Sequence, residues 1–252
     1  MSNQGRIILI TGGTRGIGKA IALRLAAEKP EHLVVAYCMN HDAARATVAE
    51  LQDLGVGASS IPVDVSRSEL VREMFLDVRN RFGRLDVFIS NAARASFGPV
   101  ASLSRRSWQR MMDLNAHSFL QGAQLAAELM QENGGGKIIG LSSLGSTFAI
   151  PGYAGLGAAK AAVEALTRYL AAEFAPLKIN VNTVSAGFVD TESMKLNPEY
   201  ESLVSYLRSR TPAGRIARPE DVSGVVAFLC SDDARWIHGQ VLLADGGLSL
   251  VL

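Results

Sequence analysis

Residues 6–18, RIILITGGTRGIG, decide the fold that we predict for this chain. The apolar run at residues 7–10 is typical of a buried strand, and the glycine-rich turn at residues 11–18 leads into a helical pattern near residues 18–29. Glycines permit a tight turn and let backbone N–H groups approach a pyrophosphate at the helix N-terminus. Such a turn can be an ordinary strand–helix connection, but its place between the first strand and the first helix predicts dinucleotide binding.

The same alternation of short apolar runs and amphipathic helical stretches continues along the chain. Further strands are predicted at residues 33–37, 59–65, 86–90, 137–141, 179–184 and 240–244. Helices are predicted at residues 42–54, 69–82, 107–131, 154–174 and 219–229. Apolar runs without strict alternation are typical of a parallel sheet that is covered on both faces. We therefore predict an α/β fold, a single doubly wound Rossmann domain over residues 1–252 with about seven parallel strands.

The composition limits the classes of partner and compartment. The 252 residues are 48% hydrophobic, and the net charge is +1 with both signs spread along the chain, so we expect neither nucleic acid nor a membrane as a partner. Cys38 and Cys230 lack metal or redox spacing, so we expect buried thiols, a reducing compartment and no metal. The N-terminal run is too short for a signal peptide, and no apolar stretch approaches membrane-spanning length, so a cytoplasmic protein is expected.

The end of the second strand predicts the cofactor. Residues 34–41, VVAYCMNH, contain no carboxylate that could accept the ribose 2′-hydroxyl of NAD. Arg15, inside the glycine turn, could reach a 2′-phosphate, although it could instead be a solvated loop cation. Together the missing carboxylate and the arginine favour NADPH.

A second stretch, residues 141–160, LSSLGSTFAIPGYAGLGAAK, predicts the reaction. It joins a strand to a long helix, and it contains Ser143, Tyr153 and Lys160, with the tyrosine seven residues before the lysine. If the helix holds through this span, seven residues turn through about 700°, so the two side chains share a face. The tyrosine then lies about 4.5 Å farther along the helix axis than it would at a spacing of four.

That displacement fits one of two reductions. In ketone reduction, hydride arrives at the carbonyl carbon, and the oxygen that needs a proton is one bond away. In reduction of a 2-enoyl thioester, hydride arrives at the β-carbon, three bonds from the thioester oxygen. An acid aimed at that oxygen must stand farther from the nicotinamide, so the spacing predicts the second reaction.

The glycine turn, as TGxxxGxG, resembles that of the short-chain dehydrogenase/reductase family, and the resemblance continues along the chain. Residues 90–93, SNAA, match the family's NNAG segment except at the first and last positions, and residues 185–191 stand where the family has a PG turn followed by threonine, with Ala186 in place of the proline. Most members carry YxxxK, but the residue four before Lys160 is Leu156. The Y-x6-K spacing resembles the enoyl-acyl-carrier-protein reductase branch, and SSLGS, GYAGLGAAKAAVEALTRYLAAE and TPAGR resemble enoyl reductase III.

The resemblance implies roles for particular residues. The implied catalytic residues are Tyr153, Lys160, Ser143 and Asn115. The implied cofactor-binding residues are Gly12, Thr14, Arg15, Gly16, Ile17, Gly18, Asp64, Val65, Asn91, Ala92, Lys160, Gly187, Val189 and Thr191. Three alternatives remain open: Ser143 could only satisfy the strand end, Asn115 could only bond its own helix, and Asp64 could be a strand-end cap.

Residues 188–214 interrupt the regular pattern and are predicted to be a polar, loop-like substrate lid. Met194, Leu196, Leu203 and Tyr206 give this segment an apolar side that suits an acyl chain, although it could merely cover the core. The basic residues Arg94, Lys195, Arg208 and Arg210 are candidates for docking an acidic acyl carrier protein. The resemblance also implies a homotetramer, with contacts through residues 164–175 and 248–252.

Three functions remain at this point. The favoured one is NADPH-dependent reduction of a trans-2-enoyl thioester, as an enoyl-acyl-carrier-protein reductase in fatty acid or polyketide synthesis. The second is a ketone or alcohol oxidoreductase, for example a 3-oxoacyl-acyl-carrier-protein reductase, in which Tyr153 serves despite its offset. The third is a non-catalytic NADP(H)-binding protein.

Overall fold

Seven parallel strands form one sheet in the order β3-β2-β1-β4-β5-β6-β7. A computed structural model describes residues 3–94, 97–195 and 200–251 of the chain. The strands are β1 Ile7–Thr11, β2 His32–Tyr37, β3 Gly57–Pro62, β4 Val87–Ser90, β5 Gly136–Ser143, β6 Ile179–Ala186 and β7 Val241–Ala244. The order reverses between β1 and β4, and ligands of open α/β sheets bind outside the carboxyl ends of the strands at such a point.

Helices cover both faces of the sheet, as predicted. They are α1 Gly16–Ala26, α2 His41–Asp53, α3 Ser68–Phe82, α4 Arg105–Met111, α5 Ser118–Gln131, α6 Ala154–Phe174, α7 Glu192–Lys195, α8 Tyr200–Arg210 and α9 Pro219–Cys230. Alternate side chains of β1 enter two separate cores: Ile7 and Leu9 pack with residues of α3 and α5, whereas Ile8 and Ile10 pack with residues of α1 and α9. This division explains why the strand is apolar at every position.

The helix predicted at residues 107–131 is interrupted. A π-helical turn, Met112–His117, separates α4 from α5. Asn115 Nδ2 donates to the carbonyl of Met111, and Ser118 Oγ donates to the carbonyl of Leu114, so side chains occupy backbone acceptors in and just before the turn. π-Bulges of this kind occur frequently at functional sites.

The segment at residues 188–214 is not the loop that we predicted. It contains α7 and α8, and Leu207 of α8 is buried against Leu144 and Leu248. These partners are distant in sequence, and the local polar pattern gives no sign of them. Leu196 and Leu252, which we assigned to the lid and to a subunit contact, lie outside the described residues.

Two other expectations need correction. The third strand was expected at residues 59–65, but it ends at Pro62, which cannot donate a ladder hydrogen bond, and the chain then turns Val63 and Val65 into the core. Cys38 is exposed, whereas Cys230 is buried as expected. None of the described helices is both long and apolar enough to cross a bilayer.

Candidate active site

The glycine turn after β1 is shaped by contacts with β4 and α1. The side-chain nitrogen Nδ2 of Asn91 donates to the carbonyls of Thr11 and Gly12 at 3.0 Å each. Gly12 has a φ of +65°, a backbone conformation that favours glycine. A Cβ on Gly18 would lie 2.1 Å from the Gly12 carbonyl oxygen, so only glycine permits this approach of helix to turn. Asn91, predicted to bind the cofactor, therefore also fixes the turn itself.

The N-terminus of α1 fits a pyrophosphate. No side chain caps this helix, and its first turn contains no acidic residue, so its amide N–H groups are available to an anion. Thr14 is buried, with its carbonyl accepting a hydrogen bond from Thr47, whereas Arg15 is exposed. The residues present thus fit a dinucleotide with its phosphates on this helix.

Asp64 and Arg94 carry charges that reach the Cys38 thiol after β2. Burial raises the pKa of this thiol, the charge of Asp64 raises it further, and the charge of Arg94 lowers it. Asp64 accepts hydrogen bonds from the backbone N–H and the hydroxyl of Ser66, as the strand-end alternative predicted. Arg94, one of the candidates for docking a carrier protein, is exposed.

The segment after β6 reaches the glycine turn. A Cβ on Gly16 would lie 3.5 Å from the Thr191 methyl group, and a Cβ on Gly187 would lie 2.9 Å from the backbone of Asp245. Val189 is buried in the core and joins Ala217 through an isolated bridge. Val65 and Val189 are both part of the cores, so any contact they make with a cofactor comes from their backbone.

Tyr153 stands at the carboxyl end of β5. It is the N-cap of α6, and its hydroxyl donates to Ser143 Oγ at 3.3 Å. Gly145 makes room for its ring, because a Cβ on Gly145 would lie 2.5 Å from the ring, and Gly157 makes room for the Gly145 carbonyl oxygen, which a Cβ on Gly157 would approach to 2.4 Å. The ring of Phe97 lies 5.7 Å from that of Tyr153 between centroids.

Tyr153 is a hydrogen-bond donor in this structure. Burial raises the pKa of its phenol, and the hydrogen bond with Ser143 lowers that pKa by less. The phenol is therefore protonated at neutral pH. Of the two forms that the sequence suggested, ionised or strongly donating, the structure favours the donating one.

Lys160 is buried on α6. Its Nζ donates to the carbonyl of Leu141 at 2.8 Å, and burial lowers its pKa to about 8. One hydrogen bond leaves the ammonium group with further donors, which could hold ribose hydroxyls. Leu156, at the position where most members of the resembled family have tyrosine, is also buried, with 4% of its surface exposed.

Asn115, in the π-helical turn, is buried close to this helix. Its Nδ2 donates to the carbonyl of Met111, but its Oδ1 has no partner among the described residues. A buried acceptor without a partner is costly unless water or a ligand satisfies it. The hydrogen bond within the helix therefore occupies only Nδ2 of Asn115, and Oδ1 is available to accept from water in the relay that the resemblance implies.

Glu164, which the sequence analysis assigned to a subunit contact and not to the site, lies beside Ser143. Its Oε1 accepts hydrogen bonds from Ser142 at 2.5 Å and from Ser146 at 2.6 Å, so it holds both sides of Ser143. The signal was available, because Glu164 follows Lys160 by four residues and must share its helix face. Ser142, to which we assigned no role, orients this carboxylate.

The apolar side chains of residues 188–214 divide into two groups. Met194 and Leu203 pack on the small cluster around Leu144, whereas Tyr206 is exposed. Lys195, one of the proposed docking residues, lies 3.7 Å from Asp190, and Arg208 and Arg210 are exposed on α8.

Comparisons with known proteins show what the chain as a whole is similar to. The family model described as Enoyl-(Acyl carrier protein) reductase matches residues 12–249. A 1-cyclohexenylcarbonyl-CoA reductase of Streptomyces collinus is 41% identical over 252 residues, covering 99% of this chain and 89% of the relative. A 3beta-hydroxysteroid dehydrogenase 1 of Eggerthella lenta is 32% identical over 251 residues, covering 98% of this chain and 95% of the relative. The structure of a short-chain type dehydrogenase/reductase from Mycobacterium ulcerans superposes with a TM-score of 0.91 at 29% identity, covering 100% of this chain and 92% of the other.

Proposed function

Because the chain belongs to the short-chain dehydrogenase/reductase family, whose members are oxidoreductases that bind NAD(P)(H), we propose that it reduces the C2=C3 double bond of a trans-2-enoyl thioester. One observation carries the proposal. Tyr153 donates a hydrogen bond to Ser143 at the end of β5, and position 156, where most members of the family have tyrosine, holds a buried leucine. The acid is thus displaced from the position that suits a ketone oxygen.

The residues of the site have distinct tasks in this reaction. When bound, the dinucleotide would supply hydride to C3. The electron pair of the double bond moves towards the thioester oxygen, where the Tyr153 hydroxyl donates a hydrogen bond and stabilises the enolate. Lys160 orients the nicotinamide ribose, Ser143 orients the tyrosine hydroxyl, and C2 takes its proton from water through a relay that includes Asn115.

NADPH is the proposed cofactor. Asn40, near the end of β2, uses its side-chain oxygen to accept from the Ala43 N–H, and no carboxylate precedes it in this segment. Arg15, in the glycine turn, and Arg94, whose charge reaches Cys38 after β2, are both exposed cations. A 2′-phosphate would gain charge-assisted hydrogen bonds there.

The thioester carrier is proposed to be acyl carrier protein. The family model is described by that carrier, whereas the relative from Streptomyces collinus is named for a CoA thioester. Lys195, Arg208 and Arg210 belong to one segment at the carboxyl edge of the sheet and suit an acidic carrier. A homotetramer in the cytoplasm, serving fatty acid or polyketide synthesis, completes the proposal.

A substrate comparison tests the reaction. Oxidation of NADPH is followed at 340 nm with crotonyl-CoA, with acetoacetyl-CoA and without substrate. We expect turnover with the crotonyl thioester. Turnover with acetoacetyl-CoA alone would support the second candidate, a ketone reductase, which the hydroxysteroid dehydrogenase relative also represents.

Substitution of Tyr153 by phenylalanine tests the assigned acid. Loss of the hydroxyl should lower kcat with crotonyl-CoA at least tenfold, by about 1.4 kcal/mol of transition-state stabilisation, with little change in KM. Tyr169→Phe, an exposed tyrosine on the same helix, is the matched control and should keep wild-type kcat. Equal kcat values for the two variants would remove the role given to Tyr153.

A further inference from the structure

A polar cavity opens outside the amino ends of the strands, at the edge of the sheet opposite to the candidate active site. Its volume is about 460 Å³, and it is lined by residues at the starts of β5 and β6 and by the segment that precedes β7. Lys137 and Ser143 lie six residues apart on β5, so about 20 Å separates this cavity from the candidate active site.

A buried lysine forms part of the cavity wall. Only 7% of the surface of Lys137 is exposed, and its Nζ donates to Asn180 Oδ1 at 2.7 Å. No carboxylate pairs with Lys137 among the described residues. A buried ammonium group without an anion is unfavourable, because burial disfavours its charged form. Burial and the charge of Arg6 lower the pKa of Lys137, and the nearby charge of Asp232 raises it by less.

The hydrogen-bond pattern leaves a second buried donor at this place. A lysine can only donate, so the Asn180 oxygen faces Lys137. The Asn180 side-chain nitrogen, which cannot accept, lies near the carbonyls of Arg235 and Ile237 and 2.8 Å from His238 Nε2. His238 Nε2 therefore accepts, and the proton of the neutral ring is on Nδ1. That Nδ1 is buried without a partner among the described residues.

The surrounding charges are predominantly positive. Arg6 forms an ion pair with Asp232. Asp86 accepts a hydrogen bond from the Ile7 N–H and forms an ion pair with Arg84 at 3.3 Å. Lys178 and Arg235, both exposed at the rim, form no ion pair with a described carboxylate.

We propose that this cavity binds the phosphate group of a small phosphate ester. A phosphate offers three strong acceptor oxygens and up to two negative charges, which match the Lys137 ammonium group and the two rim cations. The volume exceeds what a lone phosphate fills, so the remainder of the cavity accommodates the organic part of the ester. No described residue of the dinucleotide site takes part, so the proposal stands independently of the reaction.

Thermal unfolding with two probes tests the site. The Tm is measured at constant ionic strength with inorganic phosphate and with ribose 5-phosphate, each set against chloride. At about five times its Kd, a bound ligand should raise Tm by about 2–4 °C. A larger response to the ester than to inorganic phosphate identifies an ester as the ligand; equal responses identify the free ion and overturn the ester assignment.

Three variants locate the response. The double variant Lys178→Asn and Arg235→Gln alters only exposed rim residues, and asparagine tolerates the positive φ of 60° at position 178. It should weaken ribose 5-phosphate binding at least tenfold, measured by calorimetry. Lys137→Met should abolish binding, whereas Arg15→Ala, which alters the glycine turn, should leave it unchanged. Wild-type affinity in the rim variant, or loss of binding in Arg15→Ala, would overturn the proposal.

Discussion

At the scale of single residues, Arg15 is the exposed cation of the glycine turn, and it should set the preference between the two nicotinamide cofactors. Replacing Arg15 with alanine removes a charge-assisted contact with the 2′-phosphate of NADPH and none with NADH. We expect the KM for NADPH to rise about tenfold, equivalent to about 1.4 kcal/mol, and the KM for NADH to stay within twofold. Steady-state kinetics with both cofactors measures the ratio.

The matched control is Arg45→Ala, which removes another exposed arginine, one that is paired with Asp42 on α2. This variant should keep the wild-type ratio of KM values. If Arg15→Ala and Arg45→Ala gave the same ratio, Arg15 would be the solvated loop cation that its exposure also allows.

Gly145 is a residue whose substitution should affect catalysis through the tyrosine. An alanine Cβ at this position would lie 2.5 Å from the Tyr153 ring, a distance that forces the ring to move. A displacement of a catalytic group by about 1 Å can lower the rate about a hundredfold. Gly145→Ala should therefore lower kcat with crotonyl-CoA roughly 10- to 100-fold and change the KM for NADPH less. Steady-state kinetics gives both constants.

Gly224→Ala is the control for that variant. It lies within α9, where a Cβ would meet nothing within 4 Å, so alanine should keep activity and raise helix stability by up to about 1 kcal/mol. Full activity in Gly145→Ala would show that catalysis does not depend on the position of the Tyr153 ring seen in the structure.

At the scale of elements, α6 carries Lys160 and Glu164 on one face, and the carboxylate fixes the turn that follows β5. Glu164→Ala would release Ser142 and Ser146, and with them Ser143 between them. We expect kcat to fall about tenfold while the KM for NADPH changes little, because Glu164 is a positioning residue. The glutamine variant keeps an acceptor oxygen and should restore most of the kcat. Equal kcat values for alanine and glutamine would argue against positioning by hydrogen bonds.

The periodicity of the sequence was sufficient for most elements and failed in identifiable places. The bounds of α6 and the number and parallel direction of the strands were predicted from apolar patterns and are confirmed. The π-helical turn was not, because it involves side-chain bonds of Asn115 and Ser118 to nearby carbonyls that periodicity does not register. The helix α8 depends on contacts of Leu207 with residues remote in sequence.

The candidate site shows the same limit. The sequence identified Ser143, Tyr153 and Lys160 as neighbours through their spacing and the resemblance. It did not reveal that Tyr153 is an N-cap residue, that Lys160 donates a hydrogen bond to the Leu141 carbonyl, or that Gly145 accommodates the ring. Each of these facts depends on the approach of α6 to the end of β5, which is a tertiary property. The site roles themselves stay predictions.

At the scale of the whole molecule, the buried Lys160 makes stability depend on pH. Its pKa is lowered from 10.5 to about 8, so between these values the unfolded chain binds more protons than the folded one, and stability rises with pH. Without cofactor, the wild-type protein should gain about 1 kcal/mol between pH 7 and pH 9 relative to Lys160→Met. The difference in Tm between the two proteins, at one fixed concentration, should change by about 2–4 °C.

Cys230 acts in the opposite direction and limits the range of the measurement. Its pKa is raised from 9.0 to about 12, so the unfolded chain loses this proton first, and stability falls as pH rises above 9. Lys137, whose pKa is also lowered, contributes with the same sign as Lys160 but is present in both proteins and cancels in the comparison. Parallel Tm curves for wild type and Lys160→Met between pH 7 and pH 9 would mean that Lys160 is charged throughout, with an unlowered pKa, in the folded protein.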